Sequence, residues 1–237
     1  MNYLYLLINL ATISVPLIAS YHSKIQFYKN HRKFFLAIAI SGLLFILWDV
    51  FFAQKEVWGF SDSYTLGFGL FGLPVEEWFF FLCIPYASLF LHFQLHRFGW
   101  LSPLKLSDKQ LLRGSALMLL FVVVIGVLHY DRWYTFVNAL FFVLVYSFAL
   151  CYQTHLLKMF LPSFVAILIP FFMVNGILTG SLLEEPVVWY DNDENLGMRI
   201  GTVPVEDLFY AFSMLMLPLM IYSKLLGSKV FDLKTAH

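Results

Sequence analysis

The sequence predicts an all-α integral membrane fold of about seven transmembrane helices, built as two parallel three-helix repeats joined by a connecting helix. Three observations carry that expectation. Of the 237 residues, 60% are hydrophobic and only 13% charged, against roughly half apolar and a quarter charged in a soluble domain. The apolar residues fall in continuous runs near the ~20 residues that cross a bilayer core, not in the ten-residue alternations of a membrane barrel. One acidic motif occurs twice, as Pro74-Val-Glu-Glu77 and Pro204-Val-Glu-Asp207.

The seven runs span roughly Tyr3 to Tyr21, Phe34 to Ala53, Leu73 to Leu95, Leu111 to Leu128, Trp133 to Gln153, Phe160 to Leu183 and Val203 to Leu226. No basic region precedes the first run and no small-residue cleavage site follows it, so it reads as a retained span. The fourth is the weakest, with Arg113 near its start. Cys83 and Cys151 both lie inside apolar runs, which argues against a disulfide framework or a metal cluster.

Basic residues set the expected orientation. Lys24, Lys29, Arg32 and Lys33 follow the first run, and Arg97, Lys105, Lys109 and Arg113 follow the third. Lys158 follows the fifth, and Lys224, Lys229 and Lys234 follow the seventh. The opposite connections hold only Lys55, Arg132 and Arg199. By the positive-inside rule the chain is expected in the cell membrane with its N-terminus outside and its C-terminus cytoplasmic. Asp131, Glu184, Glu185, Asp191, Asp193 and Glu194 then sit in outer loops, where they read as solvated charges.

The duplication extends beyond four residues. Leu66-Gly67 and Leu196-Gly197 precede their prolines at equal distance, and Phe79-Phe80 matches Phe209-Tyr210. Val57-Trp58 is matched with Val188-Trp189, at a one-residue difference in length. The expected organisation is a first repeat over 1–97, a connecting span within 98–132 and a second repeat over 133–237. An odd number of spans between the units lets both share one orientation, giving an axis along the membrane normal.

Proline suits a first helical turn, where its missing N–H removes nothing. Glu76, Glu77, Glu206 and Asp207 are thus expected in first turns. Carboxylates there complement the helix dipole, but pairing and duplication exceed what a dipole needs. Glu76 should share a face with Phe79 and Phe80, and Glu206 with Phe209 and Tyr210. The helix N-terminus favours the charged form of each acid and apolar burial the neutral one, and sequence does not decide between them. A neutral carboxyl is what a general acid requires.

Other polar residues interrupt the spans. Asp49 follows Trp48 in the second, where an acid is costly and marks a functional site. Its place near the outer end also fits a loop-pairing role. Asn175 and Thr179, one turn apart in the sixth, suit helix–helix hydrogen bonding. His92 and His96 have a metal-compatible spacing but no third ligand, so no metal site is expected. No dinucleotide fingerprint and no phosphate-binding loop occur.

The stretches Gly72-Leu-Pro-Val-Glu-Glu-Trp-Phe-Phe-Phe and Gly201-Thr-Val-Pro-Val-Glu-Asp-Leu-Phe-Tyr, with Trp48-Asp49 and Asn175-Gly176 plus Thr179, make the chain resemble the membrane-embedded lycopene β-cyclase domain family. It looks like the fused form of the two-subunit enzymes, and the resemblance covers nearly the whole length. The resemblance implies acid-catalysed closure of the linear ψ ends of lycopene to β-ionone rings, a non-redox isomerisation needing no flavin or nicotinamide cofactor. It implies Glu76 and Glu206 as leading acid/base residues, tuned by or exchanging roles with Glu77 and Asp207. Trp48, Phe79, Phe80 and Phe209 are expected to face the cation, each ring worth about 2 kcal/mol when desolvated. Asp49, Pro74, Asn175, Thr179 and Pro204 are expected to support the site. The implied partners are lycopene or a related linear carotenoid, the lipid bilayer and other carotenoid enzymes, with no nucleic acid.

Two rival readings share these features. A carotenoid hydratase would protonate the same double bond and let water capture the cation. A proton-coupled transporter would also use repeats and intramembrane acids. A retinal-type receptor would need a lysine in the middle of the seventh span, and Lys224 lies at its inner end.

Overall fold

The computed structural model describes residues 3–227. Lys229 and Lys234, counted above toward orientation, lie outside the described residues. Seven α-helices carry the chain: α1 (Leu4–Ser20), α2 (His31–Gln54), α3 (Val75–Arg97), α4 (Asp108–Leu128), α5 (Trp133–Tyr152), α6 (Thr154–Leu178) and α7 (Asp207–Leu226). The last six are long and apolar enough to cross a membrane. α1, at 17 residues, is shorter, at the lower edge of spanning length.

Several boundaries differ from the expected spans. α6 begins at Thr154, six residues before the expected Phe160, and ends at Leu178 rather than Leu183. Its first turn therefore includes polar residues that hydropathy alone would trim. α7 begins at Asp207, not Val203, because Val203-Pro204 is drawn into a strand.

The two long loops contain short strands: β1 (Trp58–Phe60), β2 (Gly69–Leu70) and β3 (Leu73–Pro74), then β4 (Val188–Tyr190), β5 (Arg199–Ile200) and β6 (Val203–Pro204). β2–β3 and β5–β6 are hairpins in equivalent places, pairing Gly69 with Pro74 and Arg199 with Pro204. Phe71 and Gly72 both take positive φ in the first turn, as a two-residue I′ hairpin demands. Each proline is thus a strand residue leading into its helix rather than a residue of the first turn.

β1 and β4 pair antiparallel across the repeats, Trp58 with Tyr190, Gly59 with Trp189 and Phe60 with Val188. Adding 130 to each number maps this ladder onto itself, so a pseudo-two-fold axis passes between Gly59 and Trp189. This corrects the expected one-residue offset: Trp58 is equivalent to Val188, and the repeat runs without a gap here. A Cβ on Gly59 would stand 2.5 Å from the Trp189 ring, which explains a glycine facing that ring across the axis.

The helices obey the same two-fold. α1 packs on α3 as α5 packs on α7, and α2 packs on α7 as α3 packs on α6. α2 buries Phe34, Ile38, Phe45, Asp49 and Phe52 on one stripe of helical period. α4 stands apart, packing on α5. Gly126 allows the close approach to Ala139, and Ser115 hydrogen-bonds Tyr146 at 2.9 Å.

Candidate active site

Each acidic pair divides its work. The Glu76 carboxylate accepts the Leu66 N–H at 2.7 Å, and the Glu206 carboxylate accepts the Leu196 N–H at the same distance. Both turn back toward their own loops, pinning the loop ten residues upstream. Glu206 also accepts from the Thr135 hydroxyl at 2.7 Å, and the Asn9 amide donates to the Glu76 carbonyl at 2.8 Å. Glu76 Oε2 and Glu206 Oε2 are buried and find no partner among the described residues.

Glu77 and Asp207 point elsewhere, roughly 100° around their helices from the preceding residue. The Tyr5 hydroxyl donates to Glu77, and the Tyr134 hydroxyl donates to Asp207 at 2.5 Å. Tyr190 gives Asp207 a second bond at 3.2 Å. Its phenol, in the loop outside the spans, is raised well above its usual range by burial and by the Asp207 charge, so it stays a donor. Among the described residues no cation lies within ion-pair distance of these acids. Among the described residues the one ion pair is Lys158 with Asp108 at the opposite end of the bundle. Neutral hydroxyls therefore satisfy the buried carboxyl groups.

Glu77 and Asp207 line one shared chamber close to the two-fold. Its walls are Tyr5, Trp58, Phe80, Tyr134, Tyr190 and Tyr210, with Phe171, Asn175, Leu178, Thr179, Val188 and Met214 completing it. The enclosed volume is about 40 Å³, space for a few water molecules. Every side chain here comes from the loop end of α1, α3, α5, α6 or α7 or from the β1–β4 ladder. The antiparallel ladder thus roofs the chamber from both repeats.

The expected site residues separate on this geometry. Glu77, Asp207, Phe80, Asn175 and Thr179 line the chamber. Glu76 and Glu206 brace the loops beside it. Asp49, fully buried, accepts from the Tyr210 hydroxyl at 3.0 Å and so stands one residue behind the wall. Trp48 packs against Phe45, Phe141 and Tyr210. Pro74 and Pro204 sit in β3 and β6. Phe209 packs on Phe142, with ring centroids 5.0 Å apart, away from the chamber. Phe79 is 42% exposed while Glu76 is fully buried. The expectation that they share a face is corrected, since three residues of helix leave them far enough apart to straddle the edge of the buried side. Thr179 bonds the Thr202 hydroxyl at 2.7 Å, tying α6 to the β5–β6 hairpin.

Two further corrections concern groups outside the chamber. Glu194 is not simply a solvated loop charge, because its carboxylate accepts the Trp133 N–H at 2.8 Å and so stabilises the start of α5. His92 and His96 both hydrogen-bond Ser163 at 2.9 Å, joining α3 to α6.

Tyr5 and Tyr134 lie outside the acidic motifs, yet the sequence carries a signal for them. Tyr5-x-x-x-Asn9 and Tyr134-x-x-x-Asn138 are the same pattern 129 residues apart. It extends the duplication into α1 and α5 and places one phenol over each acidic helix.

Comparison with known proteins agrees with the duplicated architecture. The family model described as lycopene cyclase matches residues 2–95 and again residues 131–225, one match on either side of α4. No curated protein and no solved structure matches the chain. The chain belongs to the lycopene cyclase family, as a multi-pass membrane protein of carotenoid biosynthesis that carries two copies of the family's repeated region.

Proposed function

We propose that this protein is a lycopene β-cyclase in which Glu77 and Asp207 move the protons. The observation that carries the reading is the convergence of these two carboxyl groups, one from each repeat, on a single chamber walled by aromatic rings. The reaction needs one proton delivered and one removed, with no net redox change. A carboxylic acid adds its proton to the terminal double bond of the ψ end and leaves a tertiary cation. The next double bond attacks that centre and closes a six-membered ring. A carboxylate then takes the proton from the ring carbon beside the new cation, giving the β double bond. The product is an isomer of the substrate.

Hydrogen-bond donors favour a carboxylate. Asp207 holds two phenols and Glu77 one, so Glu77 is assigned the donor role and Asp207 the acceptor role. This reverses the order expected from the motif, where Glu76 and Glu206 lead. Those two brace the Leu66 and Leu196 loops and hold the chamber's roof in place. The faces of Phe80, Trp58 and the tyrosines offer π density to the cation. The ring-lined, mostly apolar walls limit the water that can capture it, which favours cyclisation over hydration.

The distribution of basic residues supports an orientation in which the N-terminal, acid-bearing ends of α3 and α7 face the outer side of the cell membrane. Expression in a lycopene-accumulating bacterium tests the activity, with chromatography of the pigments. Monocyclic γ-carotene and bicyclic β-carotene are the expected products. A tertiary alcohol would establish the hydratase instead, and unchanged lycopene would remove the cyclase reading.

A further inference from the structure

At about 40 Å³ the chamber must widen before it takes a carotenoid end group, and a larger space adjoins it. A groove of about 480 Å³ runs between α1, α3 and α6, and Phe171 and Asn175 belong to both its walls and the chamber's. Its lining is almost wholly apolar, including Ala11, Pro16, Ala87 and Pro170. Val15 and Met173, more than half exposed, mark its open outer side. On α3 it runs from Ile84 to Leu91, roughly 10 Å at 1.5 Å per residue.

The two-fold predicts a second groove between α5, α7 and α2, and one is present with about 310 Å³. None of its lining residues reaches the chamber. The sequence shows why. Thr12 and Ala87 are small, whereas their equivalents Phe141 and Leu217 fill the space. Asn175 is replaced at the junction by Phe45, whose ring packs edge-on to Phe141 with centroids 5.2 Å apart. Pro16 and Pro170 are replaced by Val145 and Ile40. A proline inside a helix removes one backbone hydrogen bond and its ring displaces the preceding turn, so both outer walls of the first groove are loosened and neither equivalent wall is.

We propose that the α1/α3/α6 groove holds the polyene chain of the substrate and admits its end group from the bilayer past Phe171 and Asn175, the symmetry-related groove being closed. This inference rests on the cyclase reading. It makes the duplicated enzyme one-sided, with two acids but one entrance. A linear carotenoid with two ψ ends must then leave and re-enter the other way round before its second ring can form.

The test compares substrates of two lengths in isolated membranes: full-length lycopene and a short acyclic isoprenoid bearing the same end group. Ala87→Val and Ala87→Phe should lower conversion of lycopene stepwise, the Phe variant by about tenfold or more, while the short substrate reacts at the wild-type rate. Leu217→Phe, in the closed groove, should leave both rates unchanged. The groove assignment is overturned if both Ala87 variants convert lycopene at the wild-type rate, as they would if the groove held only a lipid acyl chain. It is equally overturned if the Val variant slows both substrates alike. Should wild-type membranes form no ring from either substrate, the cyclase reading fails. Wild-type rings with indifferent Ala87 variants sink the groove alone.

Discussion

Tyr210 donates a hydrogen bond to Asp49 at 3.0 Å, joining α7 of the second repeat to α2 of the first across 161 residues of sequence. The relationship has no symmetry mate. The equivalents of Tyr210 and Asp49 are Phe80 and Thr179, which cannot form it. The bond runs to Asp49 Oδ2, while Oδ1 is buried without a hydrogen-bond partner among the described residues. Tyr210→Phe would leave a buried carboxyl group unsatisfied, at a cost of about 1–3 kcal/mol. We expect cyclisation to fall about tenfold and thermal stability to drop. Tyr210→Phe combined with Asp49→Val should recover the stability, because both polar partners are then gone. Thermal melts in detergent check this.

The two phenols on Asp207 differ in length, 2.5 Å from Tyr134 and 3.2 Å from Tyr190. Tyr134→Phe should therefore slow the reaction more than Tyr190→Phe. Initial rates of pigment formation at saturating substrate would show the order.

Tyr190 also sets an alkaline limit. Its phenol is raised by burial and by the neighbouring Asp207 charge, so the folded protein holds this proton more tightly than the unfolded chain does. The contribution to stability is intact below the unfolded value of about 10 and is lost as pH rises above it. Melting temperature followed from pH 8 to 11 should fall at the alkaline end, and Tyr190→Phe should make that fall shallower.

Isotope labelling separates ring closure from other chemistry. The incoming proton is carried by a carboxyl group that exchanges with water between turnovers. Reaction in D2O should add one deuterium for each ring formed, read as one mass unit per ring. Unlabelled β-carotene formed in D2O would refute delivery from an exchangeable acid.

Much of the architecture was legible from the chain. Continuous apolar runs and the duplicated Pro-x-Glu-acid motif pointed to seven helices and a repeat because lipid imposes one secondary structure and one period. The short strands were not legible, since two- and three-residue ladders such as Trp58–Phe60 against Val188–Tyr190 carry no periodic signal and depend on a partner far along the chain. The division within each acid pair was hidden for a different reason. Glu76 and Glu77 have the same chemistry and adjacent positions, and only the loop that folds back to offer the Leu66 N–H decides which one is used as a brace. Phe79 shows the converse limit. Helical spacing placed it near Glu76, but neighbouring helices determined which edge of that face is covered.

The reading that Glu77 and Asp207 react, while Glu76 braces, is tested most directly by pigment analysis of Glu77→Gln, Asp207→Asn and Glu76→Gln in a lycopene-accumulating host, with protein levels matched. Gln at 76 still offers an oxygen to the Leu66 N–H, so that variant should keep more activity than the other two, which should each lose at least a hundredfold and leave lycopene uncyclised. Near-normal β-carotene from Glu77→Gln or Asp207→Asn would contradict the account.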